Sequence, residues 1–153
     1  KQTHPEKTII EVNGIKIGSE QLAIMSGPCS VESEEQMDQA AKALSEIGVK
    51  ILRGGAFKPR TGPYAFQGLG TEGLDILKKT ADKYGMATIT EVLDIRHLDE
   101  ICEKCDMLQI GARNMQNFQL LKEVGKRCPI DEIDPVLKLL KALKPMIKSL
   151  LAS

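Results

Sequence analysis

The sequence predicts an α/β fold built from about four consecutive strand-helix units around a parallel sheet. Four apolar segments of β-like character each end in a polar or charged cluster, and an amphipathic helical segment follows each of them. Strand alternating with helix is typical of parallel βα units. Ligands bind at the carboxyl ends of such strands, so we expect the four clusters to meet there. Together they predict an anion-binding site with a thiol beside it.

A β-hairpin precedes the first of these units. Residues 8–17 alternate apolar and polar side chains around Asn13-Gly14, a pair that suits a two-residue turn with positive φ. The four strands that follow begin near residues 22, 49, 86 and 107. The polar side chains at or just after their ends are Cys29, Arg53, Glu91 and Arg113.

Helical spacing of apolar residues follows each strand. The first helix begins after Ser33, an N-cap with Gln36 at the capping-box position, and stops at Gly48. The second is predicted from about residue 71 to 84, and the third from about residue 95 to 104. The fourth runs from about residue 117 to 124 and ends at Gly125.

The pattern changes after residue 126. Residues 129–134 read as a linker, and Pro135 suits the first turn of an amphipathic segment that Pro145 kinks or splits. We predict no fifth strand. The chain is therefore divided into an extension with the hairpin (1–20), the βα region (21–127), and a linker with a helical tail (128–153).

Four parallel strands cannot close a barrel, which takes about eight at the usual tilt. Two sheet edges and part of an apolar sheet face would then stay uncovered. The leucine-rich tail would cover some of this surface, and a second copy the rest, for example two half-barrels that form one eight-stranded barrel. We expect an obligate homo-oligomer.

Composition and charge exclude several classes of partner. With 153 residues and 42% hydrophobic content, the chain suits one globular domain. Its 21 basic residues balance 21 acidic ones, which favours neither nucleic acid nor an anionic membrane. No apolar run approaches the ~20 residues of a membrane span, and the N-terminus lacks the apolar core of a signal peptide. We therefore expect a cytoplasmic protein with a small-molecule or protein partner.

The four cysteines suit reduced thiols rather than a disulfide framework. Cys29 directly follows a buried strand, where a lone thiol is more often structural than reactive. A nucleophile needs a base, and neither His4 nor His97 is obviously placed; a metal ligand needs roughly three more donors. Cys102 and Cys105 have the spacing of half a zinc site or a redox pair, but no second pair matches them.

The richest segment is Arg53 to Thr61, with three cations and two glycines. Such a loop suits a phosphate, or a phosphate and a carboxylate; the alternative is a solvated basic loop. Its place at a strand end opposite Arg113 favours the ligand site, since a cation there needs an anion or water. Arg53 and Arg113 would clamp the anion. Glu91 would orient a water or a neighbouring Lys, or form a structural salt bridge.

Four motifs in these regions resemble those of a known family. They are Gly27-Pro28-Cys29-Ser30-Val31-Glu32, Leu52-Arg53-Gly54-Gly55-Ala56-Phe57-Lys58-Pro59-Arg60-Thr61, Phe66-Gln67-Gly68-Leu69-Gly70 and Gln109-Ile110-Gly111-Ala112-Arg113-Asn114-Met115-Gln116-Asn117. Over about residues 4–125 the chain is similar to the type I 3-deoxy-D-arabino-heptulosonate 7-phosphate (DAHP) synthases. The sibling 3-deoxy-octulosonate 8-phosphate synthases share the Gly-Pro-Cys element but do not usually carry the long basic motif.

The resemblance implies a partial (β/α)₈ TIM barrel of about four units, with the hairpin before it and the helical tail after it. It implies a transferase that joins phosphoenolpyruvate to erythrose 4-phosphate and releases phosphate, the first step of the shikimate pathway. A divalent metal (Mn, Fe, Zn or Co) is implied, with Cys29 as a ligand. By motif match Arg53 and Arg113 would hold phosphoenolpyruvate. Lys58 would be catalytic, and with Pro59-Arg60-Thr61 it would serve both substrates.

The resemblance also implies an incomplete site. The family takes a His, a Glu and an Asp for the metal, and a further Lys and Arg for phosphate, from later strands. His97, Asp131 and Glu132 lie in no matching motif and are not assigned as ligands. A regulatory ferredoxin-like domain that precedes the barrel in some members is also missing. We expect a truncated synthase that needs another polypeptide or a partner copy; the alternative is a non-catalytic half-barrel that binds phosphate or phosphoenolpyruvate, or self-associates.

Overall fold

The structure, a computed structural model, describes residues 9–62 and 64–127. Its elements in chain order are β1 (Ile10–Val12), β2 (Ile15–Ile17), β3 (Met25–Ser26), α1 (Glu34–Glu46), β4 (Ile51–Arg53), α2 (Thr71–Lys83), β5 (Ala87–Glu91), a 3-10 turn (Ile95–His97), α3 (Leu98–Lys104), β6 (Met107–Gln109), a second 3-10 turn (Ala112–Asn114) and α4 (Phe118–Arg127). The predicted linker and helical tail lie outside the described residues. No helix within the described ranges is long and apolar enough to cross a membrane.

Strands β3 to β6 form one parallel sheet in sequential order. Each interior strand pairs with the next along the chain, so Leu52 lies beside Thr88 and Thr90 beside Leu108. Because all four strands run in one direction, their carboxyl ends lie at one edge of the sheet. This confirms the predicted α/β class, as a partial barrel.

An apolar core lies between the sheet and its helices. Leu52 and Leu108 contribute from the sheet, and the largest fully buried side chains packed with them are Met37, Leu74, Leu77, Leu98, Ile101 and Leu120. Burying one such side chain contributes about 1.5–3 kcal/mol. The core therefore holds the helices on one face and leaves the strand ends free for polar groups.

The predicted hairpin is present and packs on the opposite face of the sheet. Asn13 and Gly14 have φ of 49° and 77°, so both turn residues are left-handed, as a tight hairpin requires. The hairpin residues Ile10 and Val12 pack against a sheet cluster of Ile51, Ala87 and Met107. At the hairpin tip, Asn13 Nδ2 donates to Asp106 Oδ1 at 3.0 Å.

The predicted N-cap of α1 is confirmed, although the Gln36 side chain accepts from the Glu32 N–H rather than from Ser33, and three predicted boundaries were wrong. Ser33 Oγ accepts from the backbone N–H of Gln36 at 3.1 Å. The α-helix α3 begins three residues late, because Asp94 caps a 3-10 turn first. The last helix continues past Gly125, since Arg127 in its final turn pairs with Asp99 and Glu123. The first strand is only two residues long.

A buried hydrogen-bond pair joins β5 to the start of β6. Thr88, fully buried, donates through Oγ1 to Asp106 Oδ2 at 2.8 Å and accepts from the Asp106 N–H at 2.9 Å. We expect Thr88→Val to lower the unfolding free energy by about 1–3 kcal/mol, since it leaves polar partners unpaired. Urea denaturation measures this loss. Thr88→Ser keeps the hydroxyl, so a loss as large as that of Thr88→Val would contradict the assignment.

Candidate functional site

Arg53 forms the centre of the site at the carboxyl end of β4. Its half-buried guanidinium donates from Nη1 to the carbonyls of Pro28, at 3.2 Å, and Cys29, at 3.0 Å. Its Nε donates to Gln109 Oε1 at 3.4 Å. The guanidinium is thus fixed between the loop after β3 and the end of β6. Its Nη2 donates no hydrogen bond to the described residues, which leaves that edge available for an anion.

Lys58 lies next to Arg53 and is almost fully enclosed, with 6% of its surface exposed. Its Nζ donates to the Cys29 carbonyl at 2.5 Å and lies 3.3 Å from Cys29 Sγ. Gly55 makes this reach feasible, because a Cβ there would lie 2.9 Å from Lys58 Nζ and 2.7 Å from the Cys29 carbonyl. The glycine in this loop was predicted to allow a close approach to the backbone, and at Gly55 the group that approaches is the Lys58 side chain.

Cys29 is an exposed thiol held in an electropositive setting. The hydrogen bond from Lys58 lowers the pKa of Cys29 below its usual value, and the neighbouring Arg53 guanidinium lowers it further. Cys105 has the opposite character, since burial raises its pKa to about 12. The thiolate of Cys29 is therefore the accessible soft ligand or nucleophile of the strand ends.

Glu91 lies at the end of β5 and is 9% exposed. A Cβ at Gly111 would lie 1.9 Å from Glu91 Oε1, so this carboxylate packs against a glycine backbone. Within the described ranges no cation pairs with Glu91. The structural salt bridge considered for it is therefore not found among those residues.

Arg113 and the end of the basic loop form the outer part of the site. Arg113 is exposed, and its Nη1 donates to the carbonyl of Pro59 at 2.5 Å. Arg60 and Thr61 are exposed as well. The structure therefore brings Cys29, Arg53 and Lys58 together and places Arg113 against the loop beside them.

Sequence reasoning missed three supporting side chains. Gln109 orients Arg53, as described above. Gln67 closes the basic loop by donating from Nε2 to the carbonyls of Gly62 and Ala65, at 3.1 and 2.9 Å. His97 stacks on Phe57. A polar side chain at the end of a buried strand was the available signal for Gln109, whereas nothing in the sequence pairs His97 with Phe57.

The described residues do not provide all the ligands of the divalent metal that the resemblance implies. No group of three or more His, Cys, Asp or Glu side chains converges within residues 9–62 and 64–127. Cys29 is a suitable soft donor, but metal sites in proteins use about four ligands. The described residues therefore do not fit a complete metal site.

Comparison with known proteins identifies a family. Residues 6–131 match the model of the DAHP synthetase I family. The chain is 53% identical over 125 residues to a phospho-2-dehydro-3-deoxyheptonate aldolase of Thermotoga maritima. It is 31% identical over 134 residues to a 2-dehydro-3-deoxyphosphooctonate aldolase of Fusobacterium nucleatum, covering 77% of this chain and 48% of the relative.

Two solved structures from Thermotoga maritima share the fold. A DAHP synthase superposes with a TM-score of 0.75 at 52% identity, covering 80% of this chain and 36% of its own. A truncated form of 3-deoxy-D-arabino-heptulosonate 7-phosphate synthase gives 0.72 at 49% identity, covering 82% and 44%. The match to the Thermotoga aldolase covers 82% of this chain but 37% of the relative. With most of its length inside the family model, the chain belongs to the DAHP synthetase I family.

Proposed function

We propose that Arg53 binds phosphoenolpyruvate and that this chain supplies one part of a DAHP synthase active site. The observation that carries the proposal is the fixed guanidinium of Arg53, which three hydrogen bonds hold, with Nη1 on the same Cys29 carbonyl as Lys58 and with no described acceptor for Nη2. A guanidinium already oriented by the protein loses little freedom when it binds a carboxylate or phosphate. Membership of the family makes phosphoenolpyruvate the ligand of choice.

The neighbouring groups divide the remaining tasks. Lys58 is the proposed catalytic cation: it would exchange its bond to the Cys29 carbonyl for the ligand and neutralise charge as phosphate leaves. Arg113 would join Arg53 in holding phosphoenolpyruvate. The Pro59-Arg60-Thr61 segment, in which Arg60 and Thr61 are exposed, would receive erythrose 4-phosphate, and Glu91 would orient a water or a lysine. Cys29 would offer one ligand to a divalent metal, and no step above depends on that metal.

The proposed reaction joins the enol carbon of phosphoenolpyruvate to the aldehyde of erythrose 4-phosphate, consumes one water and releases inorganic phosphate. The chain spans about 37% of the Thermotoga aldolase described above. We therefore propose that another polypeptide segment or a partner copy supplies the remaining metal-binding and phosphate-binding groups. Two open edges of the described sheet, at β3 and β6, favour such a partner. Cys29 and Cys105 form no disulfide with a described residue, which suits a reducing compartment, so we propose a cytoplasmic location.

A second candidate is a half-barrel that binds phosphoenolpyruvate without turnover and self-associates. The observation that favours it is the edge strand β3, next to which Leu22 and Ile24 are 87% and 52% exposed. Exposed apolar side chains at a sheet edge are a pairing surface. Light scattering measures the assembly, and incubation with both substrates and Mn²⁺, followed by phosphoenolpyruvate absorbance, separates the candidates. Robust turnover by the chain alone would overturn this second candidate.

Arg53→Ala is the test of the proposed site. We expect it to weaken phosphoenolpyruvate binding by about 2–4 kcal/mol, roughly 30- to 1000-fold, because a desolvated charge pair is lost. Isothermal titration calorimetry measures the affinity, and Arg113→Ala is expected to have a smaller effect because its side chain is exposed. Arg96→Ala is the matched control, since Arg96 pairs only with Asp94 among the described residues. Unchanged affinity in Arg53→Ala would remove this residue from the site.

A further inference from the structure

We propose that His97 is a positioning residue, which acts through Phe57 to hold Lys58 against Cys29. The inference rests on the proposed function of Lys58 and extends the same site by one residue. His97 ends the 3-10 turn that follows β5, and it lies outside the four motifs that carry the family resemblance. Its imidazole has no part in the binding proposed above.

The contact that carries the inference is a ring stack. The rings of His97 and Phe57 have centroids 4.4 Å apart and planes inclined by 25°. Stacked aromatic rings at this separation attract one another beyond the effect of burial alone. Gly70 also lies against the Phe57 ring, where an added Cβ would be 3.5 Å from Cε1. The Phe57 side chain thus packs against the edge of the apolar core, the N-terminus of α2 and the turn before α3, and His97 supplies its stacked ring contact.

Phe57 is the residue directly before Lys58, and the chain around it is fixed by two backbone hydrogen bonds. The Gly70 N–H donates to the Ala56 carbonyl at 3.0 Å, and the Lys58 N–H donates to the Gln67 carbonyl at 2.9 Å. With the ring of Phe57 held as well, Lys58 leaves the backbone in one direction. Its Nζ then meets the Cys29 carbonyl and lies 3.3 Å from Sγ.

The described part of the basic loop beyond Lys58 has few contacts with other elements of the fold. Residues 60–62 and 64–67 are all exposed. Contacts from other elements reach only the start of the described loop: Phe57 meets His97 and the apolar core, Lys58 meets Cys29, and Pro59 meets Arg113. Removal of the imidazole would free the half-buried Phe57 ring to change rotamer, and the placement of Lys58 would loosen with it.

The test reads the position of Lys58 without any substrate. A lysine held against Cys29 favours its thiolate, so the rate at which iodoacetamide alkylates Cys29 at neutral pH reports the Lys58 contact. The rate is followed by mass spectrometry of the Cys29 peptide, in protein without added metal. The variants are His97→Ala, His97→Phe, which keeps a stacking ring, and Lys58→Met as the reference for a lost contact. Arg96→Ala, at the exposed neighbour of His97, is the control.

We expect Lys58→Met to slow alkylation about tenfold and His97→Ala to slow it about threefold. His97→Phe and Arg96→Ala should stay near the wild-type rate. A wild-type rate in His97→Ala would overturn the inference, and so would equal slowing in His97→Phe. If His97→Ala does not fold, His97→Leu fills the site without a ring and is expected to slow the reaction equally. Failure of the wild type to bind phosphoenolpyruvate, with this alkylation pattern intact, would overturn the proposed function and leave the positioning role supported.

Discussion

Gly27→Ala is expected to destabilise the protein by about 3–5 kcal/mol, a large effect for a single added methyl group. A Cβ at Gly27 would lie 2.0 Å from the backbone carbonyl oxygen of Arg53 and 2.9 Å from its carbon. The obstacle is backbone rather than a flexible side chain, so β4 and the loop after β3 would have to separate. Urea denaturation measures the loss.

Gly48→Ala is the matched control for this prediction. Gly27 has φ of +155° and Gly48 has φ of +83°, so an alanine is strained at both positions, but nothing lies within 4 Å of a Cβ added at Gly48. The left-handed conformation alone costs about 1–2 kcal/mol. Equal losses in the two variants would show that the Gly27 effect comes from conformation and that the close approach to Arg53 is not real. We also expect Gly27→Ala to weaken phosphoenolpyruvate binding, because Arg53 is displaced.

Lys58→Met is expected to have the largest effect on the chemistry of Cys29. Methionine preserves the buried stem of Lys58 but removes the donor that most lowers the pKa of the thiol. The pKa of Cys29 should rise towards its usual value, and each unit of rise above neutral pH cuts the thiolate fraction there about tenfold. The midpoint of a plot of alkylation rate against pH measures the change.

The sign of the pH dependence follows from the same contact. Because Lys58 and Arg53 stabilise the thiolate only in the folded protein, the folded-state pKa of Cys29 lies below that of the unfolded chain. Its contribution to stability is therefore present above the unfolded pKa, and it is lost as pH falls through the folded one. Lys50→Met, at an exposed lysine before β4, is the control. An unchanged midpoint in Lys58→Met would contradict the hydrogen bond to Cys29.

The spacing of apolar residues along the sequence predicted most of the fold. The switch from alternating to helical spacing predicted the hairpin, four parallel strands and four helices in the order found, because each pattern reflects one buried face. Boundaries were less accurate where local chemistry competed with pattern. Asp94 caps a 3-10 turn before α3, because its side chain accepts a hydrogen bond from the backbone N–H of Arg96. The hydrogen bonds from Arg96 lower the pKa of Asp94 to about 2. At Gly125 the ion pairs of Arg127 outweigh the stop signal of glycine.

For the site, the sequence predicted which residues lie near one another but not which atoms make contact. Parallel topology made the ends of β3, β4 and β6 converge, which is why Cys29, Arg53 and Arg113 were expected together. The sequence carried no information on which atoms meet. Lys58 lies 29 positions from Cys29, and Arg53 lies 56 positions from Gln109, so their hydrogen bonds depend on strand register and loop path.

Sequence by itself determined the class of the fold, the family and the identity of the charged groups at the strand ends, since each of these follows from local pattern or from contiguous motifs. Tertiary structure decided how those groups meet: Arg53 is held by the loop after β3, Lys58 contacts Cys29, and His97 reaches Phe57 from another unit. The physical reason is that a hydrogen bond or a ring stack is settled within a few tenths of an ångström. Only the packed arrangement of distant segments fixes positions so closely.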